Sequence, residues 1–255
     1  MGMMRGWKWA IGTISTLLII AIVILITPIQ LEILAAKSFA KDDVLLLDPG
    51  HGGVDGGAES SAGVCEKNIN LNIALKIRQM AEVDGWTVVM TREEDVGLYS
   101  KKDRQSIRSL KTEDLLARKK IIEEVRPLVA VSIHLNSFKQ DPGVRGAQTF
   151  YPGSGDENIQ EQSKLLAEAI QANLIEGLSD GTNRKALAKR DVLLFKNPVV
   201  PIVIVECGFL SNREEAALLN QDDYQRKIAE CIYRGIMEYT GKEGKPPLQI
   251  IDNRG

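Results

Sequence analysis

The chain has 255 residues, of which 26% are charged and 44% hydrophobic, close to the average for globular proteins, and this excludes a disordered chain, a collagen and a polytopic membrane protein. The 32 Lys and Arg residues are balanced by 34 Asp and Glu, so nucleic acid is not an expected partner. Three cysteines, an odd number, are too few for a fold held together by disulfides.

The first predicted element is an N-terminal membrane helix. Residues 9–31 carry no charge and follow Arg5 and Lys8. A membrane-spanning helix needs about 20 apolar residues, whereas the core of a cleavable signal has about 7–15. Small residues at Ser38 and Ala40 also suit a signal peptidase, which leaves cleavage open. Positive charge before the run places the N-terminus inside, so we expect the rest to be extracytoplasmic, either membrane-anchored or secreted.

Short apolar runs alternate with helical patterns along the rest of the chain. The predicted strands are residues 44–47, 86–90, 128–133, 147–151 and 202–205. The predicted helices are residues 66–82, 114–124, 161–174 and 224–239. The charged segment 92–112 has little apolar periodicity and is expected to be a loop or a surface helix, and residues 191–195 are a short apolar segment.

These elements predict the fold class. Continuous apolar strands are typical of a sheet covered on both faces, and strands that alternate with helices favour parallel pairing. We therefore predict an α/β fold: a single domain with a mostly parallel twisted sheet covered by helices on both faces, preceded by the N-terminal membrane helix. The expected boundaries are residues 1–40 for the signal-anchor or signal peptide, 41–240 for the folded domain and 241–255 for a flexible tail.

Chemically active side chains lie where three predicted strands end. Both histidines of the chain, His51 and His134, and the carboxylate of Glu206 lie at or just past such an end. Ligands of open α/β sheets bind beyond the carboxyl ends of the strands. A lone histidine there is more often a buried structural residue, but two of two in this position favour one shared site.

Two imidazoles and one carboxylate are a common ligand set for a catalytic Zn²⁺ ion. The residues leave the carboxylate open among Asp48, Asp55, Glu59, Glu66 and Glu206. Glu66 opens a predicted helix after a glycine-rich loop, which can fold it back towards His51. The alternative is a first-turn acid that favours the helix dipole. The loop lacks the phosphate-binding pattern, so a nucleotide site is not expected.

Glu206 follows four apolar residues, so we expect a dry environment that raises its pKa towards the range useful for general acid–base chemistry. The structural alternative is a buried glutamate paired with Arg or Lys. The neighbouring Cys207 would need a histidine as base to act as a nucleophile, and both histidines suit a metal better. We expect Cys207 and Cys65 to be small apolar residues.

Four ordered segments, residues 47–53, 66–71, 132–137 and 205–212, resemble the zinc-dependent N-acetylmuramoyl-L-alanine amidases of the amidase-3 type. The resemblance extends over about residues 44–239. The short form, with one N-terminal hydrophobic segment and no wall-binding repeats, is similar to the germination-specific amidases of spore-forming bacteria.

The resemblance implies that His51, Glu66 and His134 bind Zn²⁺ and that Glu206 is the catalytic carboxylate. The implied substrate is peptidoglycan, cut at the amide between the lactyl group of N-acetylmuramic acid and L-alanine of the stem peptide. The narrower likeness implies action on spore cortex, where removal of the stem peptide prepares muramic acid for δ-lactam formation by a separate deacetylase. The family often has an Arg…Ala-Asn helix before the second histidine strand; here Arg118 is followed by a different sequence, and residues 101–112 look inserted. The resemblance therefore implies the metal ligands but not the loop shape or the substrate contacts of this segment.

Two other functions are alternatives to the amidase. A zinc peptidase acting on the stem peptide would apply the same metal chemistry to another amide, and a non-catalytic cell-wall binding module on a membrane anchor would need no open zinc site. A protein partner that orders the metal loop is a further expectation, although nothing in the sequence identifies it.

Overall fold

Residues 43–100 and 106–242 are described by the structure, which is a computed structural model. Within them lie six strands and five α-helices. The strands are β1 (Val44–Pro49), β2 (Thr87–Met90), β3 (Val129–Asn136), β4 (Gln148–Pro152), β5 (Leu187–Lys189) and β6 (Ile202–Phe209). The helices are α1 (Glu66–Val83), α2 (Ile107–Val125), α3 (Glu157–Leu178), α4 (Arg213–Leu219) and α5 (Asp222–Thr240), and residues Leu193–Phe195 form a 3₁₀ turn.

The strands form one sheet in the order β2-β1-β3-β6-β4-β5. The pairings β1–β2, β1–β3, β3–β6 and β4–β5 are parallel, and β4–β6 is antiparallel. The mostly parallel sheet is therefore confirmed, with one reversal that the sequence pattern did not predict. Because β1, β3 and β6 are neighbours and parallel, their carboxyl ends meet at one edge.

Both faces of the sheet are covered, as predicted. Leu45 and Leu47 of β1 belong to the larger core cluster, which also holds the apolar faces of α1, α3 and α5. The intervening Leu46 belongs to a second cluster with Ile122 of α2 and Phe195 of the 3₁₀ turn. Successive side chains of a strand point to opposite faces, so the continuous apolar run of β1 serves two cores.

The boundaries of several elements differ from the prediction. Helix α2 starts at Ile107, because the Ser106 side chain caps it by accepting from Ser109 N. Part of the charged segment is thus helical. Helix α3 starts at Glu157, where Asp156 is the capping residue. The short strand β5 and helix α4 were missed because each is too short to show a period.

No helix of residues 43–100 or 106–242 is both long enough and apolar enough to span a membrane. The predicted membrane helix and signal cleavage site, within residues 1–40, lie outside the described residues. The predicted tail, residues 241–255, lies outside them too, except for its first two residues. Gly241 has a φ of 65° and ends α5, in the left-handed conformation that favours glycine after a helix.

Candidate metal centre

The carboxyl edge of the sheet brings the two histidines together. Pro49 of β1 lies beside Ile133 of β3, so that His51 and His134 both follow within two residues at this edge. Their ring centroids are 5.0 Å apart, with the planes at 77°. His134 is in turn the register partner of Glu206 on β6. Three chain segments far apart in sequence therefore converge at one point.

Glu66 completes the cluster from the first turn of α1. Its Oε1 lies 3.1 Å from His51 Nε2 and 3.1 Å from His134 Nδ1. Each of the three side chains offers one ligand atom, and these atoms all lie within 4.8 Å of one another. Two imidazoles and a carboxylate at this spacing could hold a divalent metal ion.

The protein fixes the orientation of the Glu66 carboxylate by hydrogen bonds from the backbone. Ala58 N donates to Oε2 at 2.7 Å, and Leu135 N donates to Oε1 at 2.9 Å. The side chain of Asn70, one turn along α1, donates to Oε1 at 3.2 Å. Burial raises the pKa of Glu66, but hydrogen bonds and charge from the two imidazoles hold it well below its usual range. The group is therefore a charged, preorganised acceptor.

Two glycines permit the close approach of these groups. A Cβ on Gly50 would lie 2.2 Å from the His134 ring. A Cβ on Gly57, which has a φ of 71°, would lie 2.5 Å from Glu66 Oε2. His51 itself adopts a φ of 62°, a conformation uncommon for residues other than glycine. The glycine-rich loop is therefore shaped around the cluster, as its composition indicated.

A carboxylate behind His51 sets the orientation of its ring. Asp55 Oδ2 lies 2.8 Å from His51 Nδ1, and its Oδ1 lies 2.7 Å from Lys111 Nζ on α2. Burial lowers the pKa of His51, but hydrogen bonds and charge from Asp55 and Glu66 outweigh it and raise that pKa to about 9. The surroundings of the ring thus favour positive charge.

A buried ion pair supports the backbone around His51. Asp48 Oδ1 accepts from Arg118 Nη1 at 2.7 Å, and both side chains are only 1% exposed. Arg118 also donates to Pro49 O at 2.8 Å and to His51 O at 2.6 Å. A second buried arginine, Arg92, donates to the carbonyls of Pro49 and Gly50. The backbone carbonyls of Pro49, Gly50 and His51 are thus held by the guanidinium groups of Arg92 and Arg118.

Of the five carboxylates that the sequence left open, the structure places only Glu66 against both imidazoles. Asp48 is committed to Arg118, Thr91 and Ser132. Asp55 contacts the far side of His51, and Glu59 is exposed in the loop before α1. Arg118, Arg92 and Lys111 were missed as supports of the site. The sequence contains one weak indication for Arg118. It lies four residues after Asp114 in a predicted helix, a spacing at which an aspartate and an arginine can form an ion pair.

One carboxylate oxygen of Glu206, Oε2, is buried and has no hydrogen-bond partner among the described residues. Burial raises the pKa of Glu206, with the charge of His134 acting against that shift and the charge of Glu66 adding to it. A buried carboxylate oxygen without a partner is costly, and such groups are typical of functional sites.

The cysteines have no nucleophilic geometry. Cys207 is fully buried, and burial raises the pKa of its thiol well above 9. Cys231 is also buried, and Cys65 is half-buried at the start of α1. As the sequence analysis expected of Cys207, its thiol is a small apolar group of the core.

Comparison with known proteins identifies the family. Residues 45–238 match the Amidase_3 family model, described as N-acetylmuramoyl-L-alanine amidase. The chain is 38% identical over 204 residues to the germination-specific N-acetylmuramoyl-L-alanine amidase of Bacillus subtilis strain 168, covering 80% of this chain and 82% of that protein.

Solved structures give the same result. The CwlD amidase of Clostridioides difficile, solved in complex with the GerS lipoprotein, has a TM-score of 0.74 and 40% identity, and the match covers 79% of this chain and all of that one. The amidase AmiC2 of Nostoc punctiforme has a TM-score of 0.65 and 28% identity, with coverage of 78% and 98%.

Proposed function

Since the chain belongs to the Amidase_3 family and is an N-acetylmuramoyl-L-alanine amidase, we propose that it hydrolyses the amide between the lactyl group of N-acetylmuramic acid and L-alanine of peptidoglycan stem peptides in a zinc-dependent reaction. The observation that carries this proposal is the cluster of His51, Glu66 and His134, with Glu206 beside His134 in the sheet.

The residues of the cluster fit a zinc ion. Two imidazoles and one carboxylate are zinc's ordinary ligands, and a catalytic site keeps a further position open. The carboxylates of Asp55 and Glu66 on the two sides of His51 give the cluster surroundings that favour a cation. In this proposal His51, Glu66 and His134 hold the metal. When bound, Zn²⁺ supplies Lewis-acid chemistry, which makes water more acidic and polarises an amide carbonyl.

Glu206 performs the proton transfers in the proposed mechanism. Its unpartnered Oε2 accepts a proton from the attacking water and returns that proton to the amide nitrogen as the C–N bond breaks. The raised pKa of Glu206 suits this role, because it makes the carboxylate a stronger base for the first step and moves its pKa closer to neutral pH. The products are a free lactyl carboxylate on the sugar and a free amino group on L-alanine.

The biological setting is inferred from the named relatives. The Bacillus subtilis relative is a germination-specific amidase, so we infer that the substrate is spore cortex peptidoglycan and that product muramic acid goes on to δ-lactam formation by a separate deacetylase. The Clostridioides difficile relative was solved with a lipoprotein, which supports a protein partner here. Action outside the cytoplasm, with residues 1–40 as anchor or signal, 41–240 as catalytic domain and 241–255 as tail, stays a prediction.

Product masses test the function. Purified peptidoglycan is digested with zinc-loaded protein and with protein stripped by a chelator, and the released fragments are weighed. Amidase action predicts intact stem peptides that begin with free L-alanine and glycans that retain a free lactyl group, only in the zinc-loaded sample. Fragments cut within the stem peptide would instead indicate a peptidase, and unaltered peptidoglycan would indicate a binding module.

A further inference from the structure

One lysine on the last strand of the sheet carries a charge that no acidic side chain of the described residues pairs. Lys189, the last residue of the edge strand β5, is exposed and makes no ion pair in residues 43–100 or 106–242. Its Nζ lies instead over the ring of Phe150, 4.6 Å from the centroid. A cation held on an aromatic face keeps its hydrogen-bond donors available for a ligand.

Lys189 pairs with Pro152, four residues beyond the Gln148 that pairs with Glu206, and this register places it on the face of the sheet that carries Glu206. Phe150 pairs with Ile204, and Gln148 pairs with Glu206 two residues further on. Paired residues and residues two apart lie on the same face, so Phe150, Gln148 and Glu206 share it. Burial raises the pKa of Glu206, but the charge of Lys189 is close enough to act against that shift.

The surrounding segment makes the region positive in a domain that is negative overall. From residue 41 onward there are 29 basic against 33 acidic residues, a net charge of −4. Residues 184–190 contain four basic residues and no acidic one. Gln148, the register partner of Glu206, holds the start of this segment, because its amide donates to Lys185 O and its carbonyl accepts from Arg184.

We propose that Lys189 is a specificity-determining residue that binds a free carboxylate of the stem peptide while the scissile amide lies at the metal cluster. This inference rests on the proposed function. Of the two halves of the substrate, the N-acetylated glycan is uncharged once its lactyl group is amide-linked, whereas a stem peptide has carboxylates at its C-terminus and acidic residues. Only the peptide half therefore offers the charge that a lysine attracts.

Two synthetic muramoyl peptides test the inference, one with free peptide carboxylates and one with the same groups amidated. We expect the protein to prefer the free acid, and Lys189→Gln to lower kcat/KM for the free acid about two- to fivefold, as for a solvent-accessible charge pair. The amidated peptide should be unaffected, and Lys189→Glu should favour it. Added salt should shrink the preference. Lys227→Gln is the control, because it makes the same charge change at an exposed site of α5.

Two outcomes would overturn the inference. Equal losses on both peptides would mean that Lys189 acts on Glu206 rather than on substrate, and unchanged rates on both would mean that the lysine is only solvated. If the unmodified protein releases peptide from neither substrate, the proposed function itself fails, and this result is distinct from the other two.

Discussion

Asp55 Oδ2 lies 2.8 Å from His51 Nδ1, while the opposite ring nitrogen, Nε2, lies 3.1 Å from Glu66 Oε1. Asp55 thus selects which nitrogen of His51 faces the cluster, because a carboxylate partner holds the proton on the nitrogen that it contacts. Lys111 holds Asp55 from the other side. Helix α2, which begins inside the charged segment of the sequence, therefore supports the candidate metal centre.

Asp55→Asn should weaken zinc binding about 10- to 100-fold, as is usual when the carboxylate partner of a ligand histidine is removed. Lys111→Gln should weaken it less, since Gly57 N still donates to Asp55. Competition with a zinc-binding dye measures both affinities. Lys120→Gln, an exposed lysine of the same helix, is the control. Unchanged zinc affinity in Asp55→Asn would contradict this role.

Glu206→Gln should retain one zinc ion and lose activity about 10²- to 10⁴-fold, the usual contribution of a general acid–base group. The substitution keeps the size of the side chain but removes its ability to accept a proton. Metal analysis and turnover of muramoyl peptides are measured on the same preparation. Glu168→Gln, at an exposed position of α3, should behave as the unmodified protein. Near-normal turnover in Glu206→Gln would remove this residue from the mechanism.

Acid should destabilise the domain through Asp48. Burial raises the pKa of Asp48, but Arg118, Ser132 and Thr91 together lower it from 3.8 to about 2. A carboxyl with a lowered pKa stabilises the fold above the unfolded pKa and loses that contribution as pH falls through the folded one. Stability should therefore fall between about pH 4 and pH 2.

Asp48→Asn should lower the free energy of unfolding at pH 7 by about 1–3 kcal/mol, because Arg118 loses one of its two buried carboxylate partners and keeps only Asp114. Its stability should also change less with pH between about 4 and 2 than that of the unmodified protein. Urea unfolding at several pH values measures both effects. Parallel stability curves for the two proteins would show that Asp48 does not titrate as described.

Cys207→Ala should keep zinc binding and most of the activity, because the thiol is fully buried and protonated. The loss of one sulfur atom from the core should cost about 1 kcal/mol or somewhat more in stability. Thiol-alkylating reagents should not inactivate the native protein. Loss of turnover in a Cys207→Ala variant that still binds zinc would instead assign the thiol a chemical role.

Five of the six strands and the convergence of His51 and His134 could be predicted, because apolar runs mark the strands and parallel strands share a carboxyl edge. Residue spacing alone did not single out Glu66, which needed the resemblance to a family. Arg118 was missed as a support because its contact with His51 O joins residues 67 apart, and a helix pattern carries no information on such a contact. The antiparallel direction of β4 was also not predicted, because strand direction depends on connections that local sequence does not encode.

The proposed function requires that His51, Glu66 and His134 bind one zinc ion. Anomalous diffraction at the zinc absorption edge, from crystals of the zinc-loaded protein, locates the ion. We expect a single strong peak about 2.0–2.2 Å from one ligand atom of each of the three side chains. Zinc bound elsewhere, or bound without either histidine, would contradict it.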